Sequence, residues 1–516
     1  MHESATGVIL DSMKKRFLAL FLLTGSCMLL QAAAPKKLNL LIAPGTLAEN
    51  TVALVWNKQY ANEAVSYTVL LNGKKAGSSS KTNYLLNNLQ ASTWYTVTVK
   101  VNGTGLKANS IRFKTAAKGK LFSILDFGAK DDTSFLNTKA IQSAIDACTS
   151  GGTVIIPKGT FVSGALWLKS NMTLRIEKGA VLKGSVNPAD YLPKYLNRFE
   201  GWEMETYASL INAGKLDRSE TYSVKNLRIT GGGTISGGGR TLSNAIIKTD
   251  GLRGRGRLIC LMNCQDVSID NLTIKEPPCW TIHYIYSDNI TLHDLDIHSD
   301  VRNGDGVDPD SSTDSYIFNC SFDTGDDCIA IKSGKNPEGF YVAKPTRNVR
   351  ITDCDFKRGH GISIGSEMSG GVSDVLVQDC KAGNLLHGMQ IKGTKDRGGY
   401  VKNVTVTDCE LQKITVFTEL NYNNDGEAAP EVPVFENFIF KNISLAGANI
   451  KEPVININGF KTAAHHLRKL QFENILLPDN AKIKITDADQ ALFRTVKTLS
   501  GSKPEFDITN CPGLIN

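Results

Sequence analysis

Side chains that could carry acid–base chemistry are concentrated in short glycine-flanked segments. Asp305 lies in an Asn-Gly-Asp-Gly segment, Asp326 and Asp327 are adjacent in Gly-Asp-Asp-Cys, and His360 lies in Gly-His-Gly. Carboxylates that lie a few ångströms apart cannot all ionise freely, so one pKa must rise. A protonated carboxyl beside an ionised one is the pair that glycoside hydrolysis needs. One serves as the acid for the leaving oxygen and the other as the base for water.

The spacing of these residues predicts that they lie on one face of a coiled chain. Asp305 and Asp327 are 22 residues apart, Asp326 and His360 are 34 apart, and His360 and Lys392 are 32 apart. Each interval matches about one repeat of the chain. A solvated turn would explain any one segment alone, but the agreement of all of them favours a strip of three carboxylates, an imidazole and an ammonium.

The element that must position this strip is repetitive. Residues 121–516 consist of short strands with polar corners between them, and from residue 266 the segments begin 23, 25, 34, 26, 29 and 33 residues apart. Strand repeats of this length without intervening helices predict a right-handed parallel β-helix. The amphipathic segment 137–148 predicts a helix that covers one end of the coil.

A buried stack of small side chains is expected at one position of the repeat. Four coils place a cysteine there, and two others are read as placing an asparagine there. The residues are Cys320, Cys354, Cys380 and Cys409, with Asn271 and Asn442. Same-phase residues stack along a coil, so a packed column is favoured over disulfides or metal ligands.

The adjacent pair Asp326 and Asp327 raises a geometric question. Neighbouring residues on a strand point to opposite faces, so one carboxylate would face the core. An unpaired charge there is costly. Because glycine adopts backbone angles closed to other residues, Gly325 is expected to bend the chain and turn both carboxylates into the cleft.

The N-terminus predicts export. Residues 1–34 read as a signal peptide with its true start at Met13, since a basic stretch at 14–16 precedes an apolar stretch at 17–30 and a small-residue cleavage site. A periplasmic or secreted protein is expected. A lipoprotein acylated at Cys27 is the weaker alternative, and no later segment is long and apolar enough to span a bilayer.

Residues 36–117 predict a separate β-sandwich. Alternating strands are separated by turns every 8 to 12 residues, a spacing typical of such folds. Trp56, Tyr67 and the Trp94-Tyr95 pair resemble the core aromatics of a fibronectin type III domain. Core packing is expected for these rings rather than a sugar-binding face. The fold prediction is therefore all-β: a fibronectin type III-like sandwich at 36–117, and a right-handed parallel β-helix at 121–516.

The motif set resembles glycoside hydrolase family 28, the polygalacturonase family. The segments NGDG, GDDC, GHG and QIK occur in the family's order and spacing, and 126–185 is similar to the family's N-terminal coils. The preceding sandwich and the segment PPCWTIH (277–283) resemble exo-acting bacterial members. The resemblance covers nearly all of 121–450.

That resemblance implies a role for each matching residue. Asp326 would be the general acid, while Asp305 and Asp327 would hold and activate water, with inversion at the sugar carbon. His360 would keep the protonation of the carboxylates arranged, and Lys392 would hold a sugar carboxylate. The implied substrate-binding residues are Asn303, Gln390, Lys392 and Tyr422. No metal or cofactor is implied.

Two departures from the family pattern concern the substrate. Gly304 replaces a threonine, and Gln390 stands where the family has an arginine, so a bidentate grip on a carboxylate is lost there. An exo-polygalacturonase releasing galacturonic acid is the leading hypothesis. A rhamnogalacturonan- or branched-pectin-specific enzyme of the same family is the alternative. A pectate lyase and a non-catalytic pectin-binding β-helix remain as readings from other classes.

The net charge and one long segment bear on the expected binding partners and on the shape of the cleft. The net charge of +7 is compatible with an acidic polysaccharide such as pectin and does not demand one. We expect no nucleic-acid partner, no stable membrane span and a monomer. The segment 190–220 reads either as a wall that closes the cleft or as a packing insertion.

Overall fold

The structure is a computed structural model that describes residues 38–58, 65–103, 105–219, 221–420 and 426–515. The predicted signal peptide, with Cys27, lies outside the described residues. No helix within the described ranges is long and apolar enough to cross a membrane.

An antiparallel sandwich, here called the N-terminal sandwich, opens the described chain. One sheet contains Leu40–Ile42, Val52–Trp56 and Asn83–Leu86, and the other contains, in spatial order, Lys74–Ser79, Tyr67–Leu71, Trp94–Val101 and Ile111–Lys114. Trp56 packs edge-on against Tyr67 in the core, with ring centroids 5.2 Å apart. The expectation of core packing is wrong for Trp94, which is 53% exposed. Tyr95 stacks inward on Phe113, and strand alternation turns Trp94 outward.

A parallel β-helix follows, as the repeat predicted. Its strands form three ladders that run along the coil axis. The first ladder contains Leu121–Ser123, Gly152–Ile156, Met172–Ile176, Val224–Thr230, Cys264–Lys275, Asp288–His298, Thr313–Phe318, Thr346–Thr352, Val372–Gln378, Tyr400–Glu410, Val434–Ser444, Leu467–Leu477 and Ala488–Thr498.

The other two ladders complete each coil. The second ladder contains Gly159–Ser163, Ala180–Gly184, Thr234–Ser236 and Ser321–Asp323, extended by the ends of longer strands such as Asp355–Ile364 and Lys381–Lys392. The third ladder contains Leu166–Leu168, Ile211–Gly214, Ile259–Met262, Ile282–Ile285, Val307–Asp310, Ile329–Ile331, the later parts of Asp355–Ile364 and Lys381–Lys392, Lys413–Phe417, Ile455–Asn458, Lys482–Thr486 and Glu505–Thr509.

The core lies inside the coil because alternate strand residues are apolar. Ile269, Leu292 and Ile317 are neighbours in successive first-ladder strands and are fully buried. Farther along the same column Phe440 stacks on Phe472 with ring centroids 5.0 Å apart. Continuous burial of one apolar column is what fixes the register from coil to coil.

Helices lie at the end and on the sides of the coil. Helix α1 (Thr138–Ala147) matches the predicted cap and buries its apolar face at Ala140, Ile141, Ala144 and Ile145. Helix α2 is Gly239–Asp250 and helix α3 is Glu338–Val342. Short 3-10 turns occupy Ile124–Phe127, Pro188–Tyr191, Leu252–Gly254 and Ala463–His465. An antiparallel hairpin, the 195–206 hairpin, pairs Tyr195–Phe199 with Trp202–Thr206.

The four repeat cysteines form the expected buried column and carry free thiols. The assignment of Asn271 and Asn442 to that column is wrong. Cys409 is in register with Ile443, so Asn442 lies one residue earlier, at the corner of the coil. Both asparagines have left-handed φ angles, 52° and 54°, which asparagine tolerates better than most residues.

Candidate active site

The register of the third ladder stacks three of the predicted residues. The strands that follow Asp305, Asp327 and His360 are hydrogen-bonded neighbours in register. These side chains, together with His387 in the next coil, form a line here called the site column. The sequence spacing therefore predicted the axial neighbours correctly.

Asp326 reaches the same cleft because the chain bends between two ladders. The second-ladder strand ends at Asp323 and the third-ladder strand begins at Ile329. The predicted reason for the bend is wrong, since Gly325 does not adopt a left-handed φ. The site is tight instead: a β-carbon on Gly325 would lie 3.3 Å from the Cα of Asp300.

Glycine is required on both sides of His360. Gly359 has φ 132° and Gly361 has φ 97°, backbone angles that other residues rarely adopt. A β-carbon at Gly359 would lie 2.2 Å from Oγ1 of Thr324, and one at Gly361 would lie 2.4 Å from the carbonyl oxygen of Gly388. The Gly-His-Gly segment thus lets the main chain pass close to its neighbours and brings the imidazole to the carboxylates.

Asp327 is the ionised carboxylate of the site. Burial favours its neutral form, but the nearby charge of Lys392 and hydrogen bonds from His360 and Ser363 hold the pKa of Asp327 well below its ordinary value. Lys392 Nζ lies 3.1 Å from Oδ2, and the Ser363 hydroxyl donates to Oδ1 at 2.6 Å. A buried carboxylate with this many donors stays charged.

Asp305 is shifted in the opposite direction. Burial, followed by the neighbouring Asp308 and Asp326, raises the pKa of Asp305 well above its ordinary value. Burial also raises the pKa of Asp308 to about 7. Lys332 Nζ lies 3.6 Å from Asp305 and 3.5 Å from Asp308, and it offsets this effect only in part. In adjacent coils the site therefore favours the ionised form of Asp327 and the neutral form of Asp305.

His360 is the cation nearest to the exposed carboxylate. Its Nδ1 lies 3.1 Å from Oδ1 of Asp326 and 3.5 Å from Oδ1 of Asp327, and hydrogen bonds to these two groups raise the pKa of His360 to about 9. The side chain of Asp326 is 27% exposed, against 5% for Asp305 and 4% for Asp327. Asp326 is therefore the carboxyl that a ligand in the cleft reaches first.

The same side chains have the spacing of a metal site. Ligand atoms of Asp326, Asp327 and His360 lie within 4.8 Å of one another. Protonation of His360 and the ammonium of Lys392 beside Asp327 both disfavour a cation there. Proton transfer fits this cluster better than metal chemistry.

The cluster opens into a cleft of about 770 Å³. Its lining residues include the three carboxylates, His360 and Lys392, joined by polar and aromatic groups from neighbouring coils and loops. These further lining residues include Asn303, Trp280, Lys332, Lys335, Glu367, Arg302, Glu200 and Arg253. A second cavity of about 750 Å³ shares His360 and is lined by later coils, so the cleft continues in that direction.

The predicted substrate-binding residues do not all line this cleft. Asn303 does, and the buried guanidinium of Arg255 fixes its side chain by donating to Oδ1 at 2.7 Å. Gln390 is buried beside Ser363 in the third ladder and is not among the lining residues. Tyr422 lies outside the described residues.

The sequence places Lys332 among the polar residues of the site coils but assigns it no role, and it gives no sign of Glu367. Lys332 lies within 3.6 Å of three carboxylates, and Trp280 covers it with its ring centroid 4.6 Å from Nζ. A signal was available, because Lys332 and Lys392 both follow an isoleucine at the end of a third-ladder strand. Glu367 follows its strand in an irregular segment, and no spacing rule finds it.

The 195–206 hairpin forms one wall of the cleft. Arg198 anchors it through Asp310 at 2.7 Å, and the indole N–H of Trp202 donates to the carbonyl of Asn336 at 3.0 Å. Glu200, at its turn, pairs with Arg253 at 2.8 Å, and both line the cleft. Of the two readings of 190–220, the structure favours the wall.

Comparisons with known proteins agree with this architecture. The family model for glycosyl hydrolases family 28 matches residues 148–487. An exo-poly-alpha-D-galacturonosidase of Dickeya chrysanthemi is 28% identical over 92% of each chain, and an endo-polygalacturonase of Pectobacterium parmentieri is 30% identical over 61% of this chain and 81% of its own. The solved family 28 exopolygalacturonase of Yersinia enterocolitica superposes with a TM-score of 0.84 at 28% identity, covering 93% of this chain and 99% of its own.

Proposed function

Because the chain belongs to glycosyl hydrolases family 28, we propose that it is an exo-polygalacturonase that releases galacturonic acid from the galacturonan of pectin. The observation that carries this proposal is the pair of carboxyls with opposite pKa shifts, Asp305 and Asp327, beside the more exposed Asp326. Carboxyls whose surroundings favour different protonation states, next to one that the substrate can reach, suit glycoside hydrolysis. The names of the Dickeya and Yersinia relatives support the exo mode and the substrate.

Asp326 is the general acid of the proposed mechanism. It is the most exposed of the three carboxyls, so the glycosidic oxygen of a bound sugar reaches it without displacing other groups. When Asp326 gives up its proton, negative charge develops beside the imidazolium of His360, 3.1 Å away. A fixed positive charge at that point stabilises the transition state more than the ground state.

Asp327 is the general base of the proposed mechanism. Its carboxylate is ionised and takes the proton of a water molecule, while the neutral carboxyl of Asp305 holds that water by hydrogen bonding. Oxygens of Asp326 and Asp327 lie within 4.8 Å of each other, closer than the roughly 6.5–9.5 Å usual between acid and base in inverting enzymes. We therefore place the water on the Asp305 side of Asp327, away from the acid. NMR detection of the first anomer released tests inversion directly.

The exo mode is supported by the wall that the 195–206 hairpin forms with Arg253. The hairpin borders one side of the cleft and contacts the coils that carry the site, through Arg198 to Asp310 and Trp202 to Asn336. A second cavity extends the cleft toward later coils. A chain end fits such a cleft better than the middle of a polymer.

Product analysis on polygalacturonate and rhamnogalacturonan side by side tests the function. Galacturonic acid as the first product from polygalacturonate alone supports it. Early oligomers would contradict the exo mode, and release from neither polymer would overturn the function.

The remaining assignments form part of the same proposal. Residues 36–117 form a fibronectin type III-like domain, and 121–516 form the catalytic β-helix. Residues 1–34 direct export, so that the enzyme meets its polymeric substrate in the periplasm or outside the cell. We propose a monomer, and mass photometry of the purified chain tests this.

A further inference from the structure

We infer that Arg302 grips the carboxylate of the terminal galacturonate in the cleft and so determines the specificity for a uronic acid. This inference rests on the proposed function, since it names the group that recognises the substrate of that site. The need for such a group arises at Gln390. The position that carries an arginine in the family pattern holds an uncharged amide here, and this amide is buried away from the cleft lining.

The other cations of the cleft are already engaged. Lys392 lies 3.1 Å from Asp327, and Lys332 lies within 3.6 Å of Asp305, Asp308 and Glu367. Arg253 pairs with Glu200 at 2.8 Å, and Nζ of Lys335 lies 4.3 Å from the ring centroid of Trp202. Each of these cations would weaken an existing contact on binding a substrate anion.

Arg302 differs from these cations. Its side chain is exposed and lines the cleft, and it forms no ion pair or hydrogen bond within the described ranges. It lies three residues before Asp305 and lines the cleft together with Arg253 and Glu200. A guanidinium in this position can bind a carboxylate through two parallel hydrogen bonds.

The main chain under Arg302 is fixed in advance. The buried guanidinium of Arg255 donates to the carbonyl of Arg302 at 2.7 Å and to Oδ1 of the next residue, Asn303, also at 2.7 Å. Arg255 is itself held by the carbonyl of Leu252 at 2.8 Å. Because the main chain is fixed, only the side chain of Arg302 has to become ordered when it binds an anion.

The test compares Arg302→Gln with the unmodified enzyme on trigalacturonate, in its free acid form and with a methyl ester on its non-reducing terminal carboxyl. On the free acid we expect kcat/KM to fall roughly 10- to 100-fold, chiefly through KM, as for loss of a charged hydrogen bond. On the ester, Arg302→Gln should lose no more than about 2-fold, because the charge it recognises is absent. Arg302→Lys should recover part of the loss, since it restores a point charge without the bidentate geometry.

Binding of the product provides a readout that does not depend on turnover. Galacturonate should inhibit the unmodified enzyme more strongly than galactose, and Arg302→Gln should abolish that preference. Arg468→Gln is the matched control, an exposed arginine that pairs with Glu436 outside the cleft lining. Equal losses on acid and ester, or a retained preference for galacturonate, would overturn the inference. Failure of the unmodified enzyme to cleave trigalacturonate would overturn the proposed function instead, so the two failures are distinguishable.

Discussion

Two lines of acidic and amide side chains run along the same coils, and they behave differently. One is the site column with its neighbouring carboxylates. The other, here called the corner column, has left-handed φ angles of 52° to 56° throughout. It contains Asn271, Asp294, Asn319, Asp353, Asp379, Asp408, Asn442 and Asn474. These residues turn the corner between ladders and bond to one another, as Asn442 does to Asp408 at 3.1 Å.

The corner column supports the N-terminal sandwich. Lys58 lies 2.6 Å from Asp379 and 3.3 Å from Asp408, and Lys81 donates to Asn319 at 2.7 Å. Asn83 donates to Asp353 at 2.8 Å. Acidic and amide side chains of the corner column therefore pair with lysine or amide side chains of the sandwich at a partly exposed surface.

The site column has an excess of acids in a dry setting. Three cations lie among five carboxyls here, and the pKa is raised in two of these carboxyls and lowered in two others. The cations are His360, Lys332 and Lys392, and the carboxyls are Asp305, Asp308, Asp326, Asp327 and Glu367. Aspartates thus suit acid–base chemistry in the site column, where burial and like charges shift their pKa values in opposite directions. In the corner column, where cations and amides lie beside most of them, they hold the structure together.

The largest expected difference between the columns is in turnover. Asp326→Asn removes the proposed acid and should lower kcat about 1,000-fold or more, because general acid catalysis contributes on the order of 10²–10⁴. Asp353→Asn makes the same chemical change in the corner column and should leave kcat within about 2-fold. Reducing-sugar release from polygalacturonate measures both variants. Comparable losses in the two would show that the contrast between the columns does not determine catalysis.

A smaller effect is expected from the charge on His360. Its imidazolium lowers the pKa of Asp327, so His360→Gln should raise that pKa and move the acidic limb of the kcat/KM profile to higher pH by about one unit. His387→Gln is the control. Its ring centroid lies 6.0 Å from that of His360, and burial lowers its pKa to about 4, so it is neutral at working pH. An unmoved acidic limb in His360→Gln would show that His360 has no electrostatic role.

The charge on His360 should also affect the stability of the folded protein, and this contribution should decrease as pH rises. The pKa of His360 is raised to about 9, so its contribution to folding is complete below the ordinary value of about 6.5 and is lost as pH rises through about 9. The Tm difference between the unmodified protein and His360→Gln should therefore shrink between pH 6 and pH 9.5. A constant difference would indicate that the imidazolium is not stabilised by the carboxylates.

The sequence alone predicts the features of the fold and site that follow from the repeat along the coil axis. The spacing of Asp305, Asp327 and His360 predicted their stacking because each coil adds one strand to a ladder. Burial around the coil was not predictable in this way. Burial and the neighbouring Asp308 raise the pKa of Asp305, whereas Lys392 and the hydrogen bonds from His360 and Ser363 lower the pKa of Asp327. The burial and these distances follow from three-dimensional packing.

Predictions are wrong where a shift of one residue along the strand changes a buried position into a corner or exposed position. The repeat predicts Asn442 in the cysteine column, but it lies one residue away at the corner, since asparagine tolerates the left-handed φ that the corner needs. The strand pattern predicts Trp94 in the sandwich core, but alternation places Tyr95 there. The bend at Gly325 was predicted with the wrong backbone angle. The 195–206 hairpin leaves the repeat altogether, so no period describes it.

The attachment of the sandwich offers a sharper view of the corner column. Lys58→Ala removes an ammonium that bridges Asp379 and Asp408, and it should weaken docking by about 1 kcal/mol, as expected for a small charge network. Proteolysis in the connecting segment 115–120 should then accelerate about 5-fold, with kcat unchanged. Lys74→Ala, at an exposed strand of the sandwich, is the control. An equal acceleration in both variants would mean that Lys58 does not hold the sandwich on the coil.

The smallest effect concerns the one corner carboxyl that resembles those of the active site. Burial raises the pKa of Asp353 to about 7, so its ionisation opposes folding increasingly as pH rises from about 4 to 7. Asp353→Asn retains an oxygen that can accept the hydrogen bond from Asn83 and removes that titration. It should therefore raise Tm by about 2 °C at pH 8 and leave it nearly unchanged at pH 4. Calorimetry at the two pH values measures the difference. A lower Tm at pH 8 would show that the charge of Asp353 is needed by Lys58 and Lys81, and that matched charge, rather than the corner geometry, holds the two parts together.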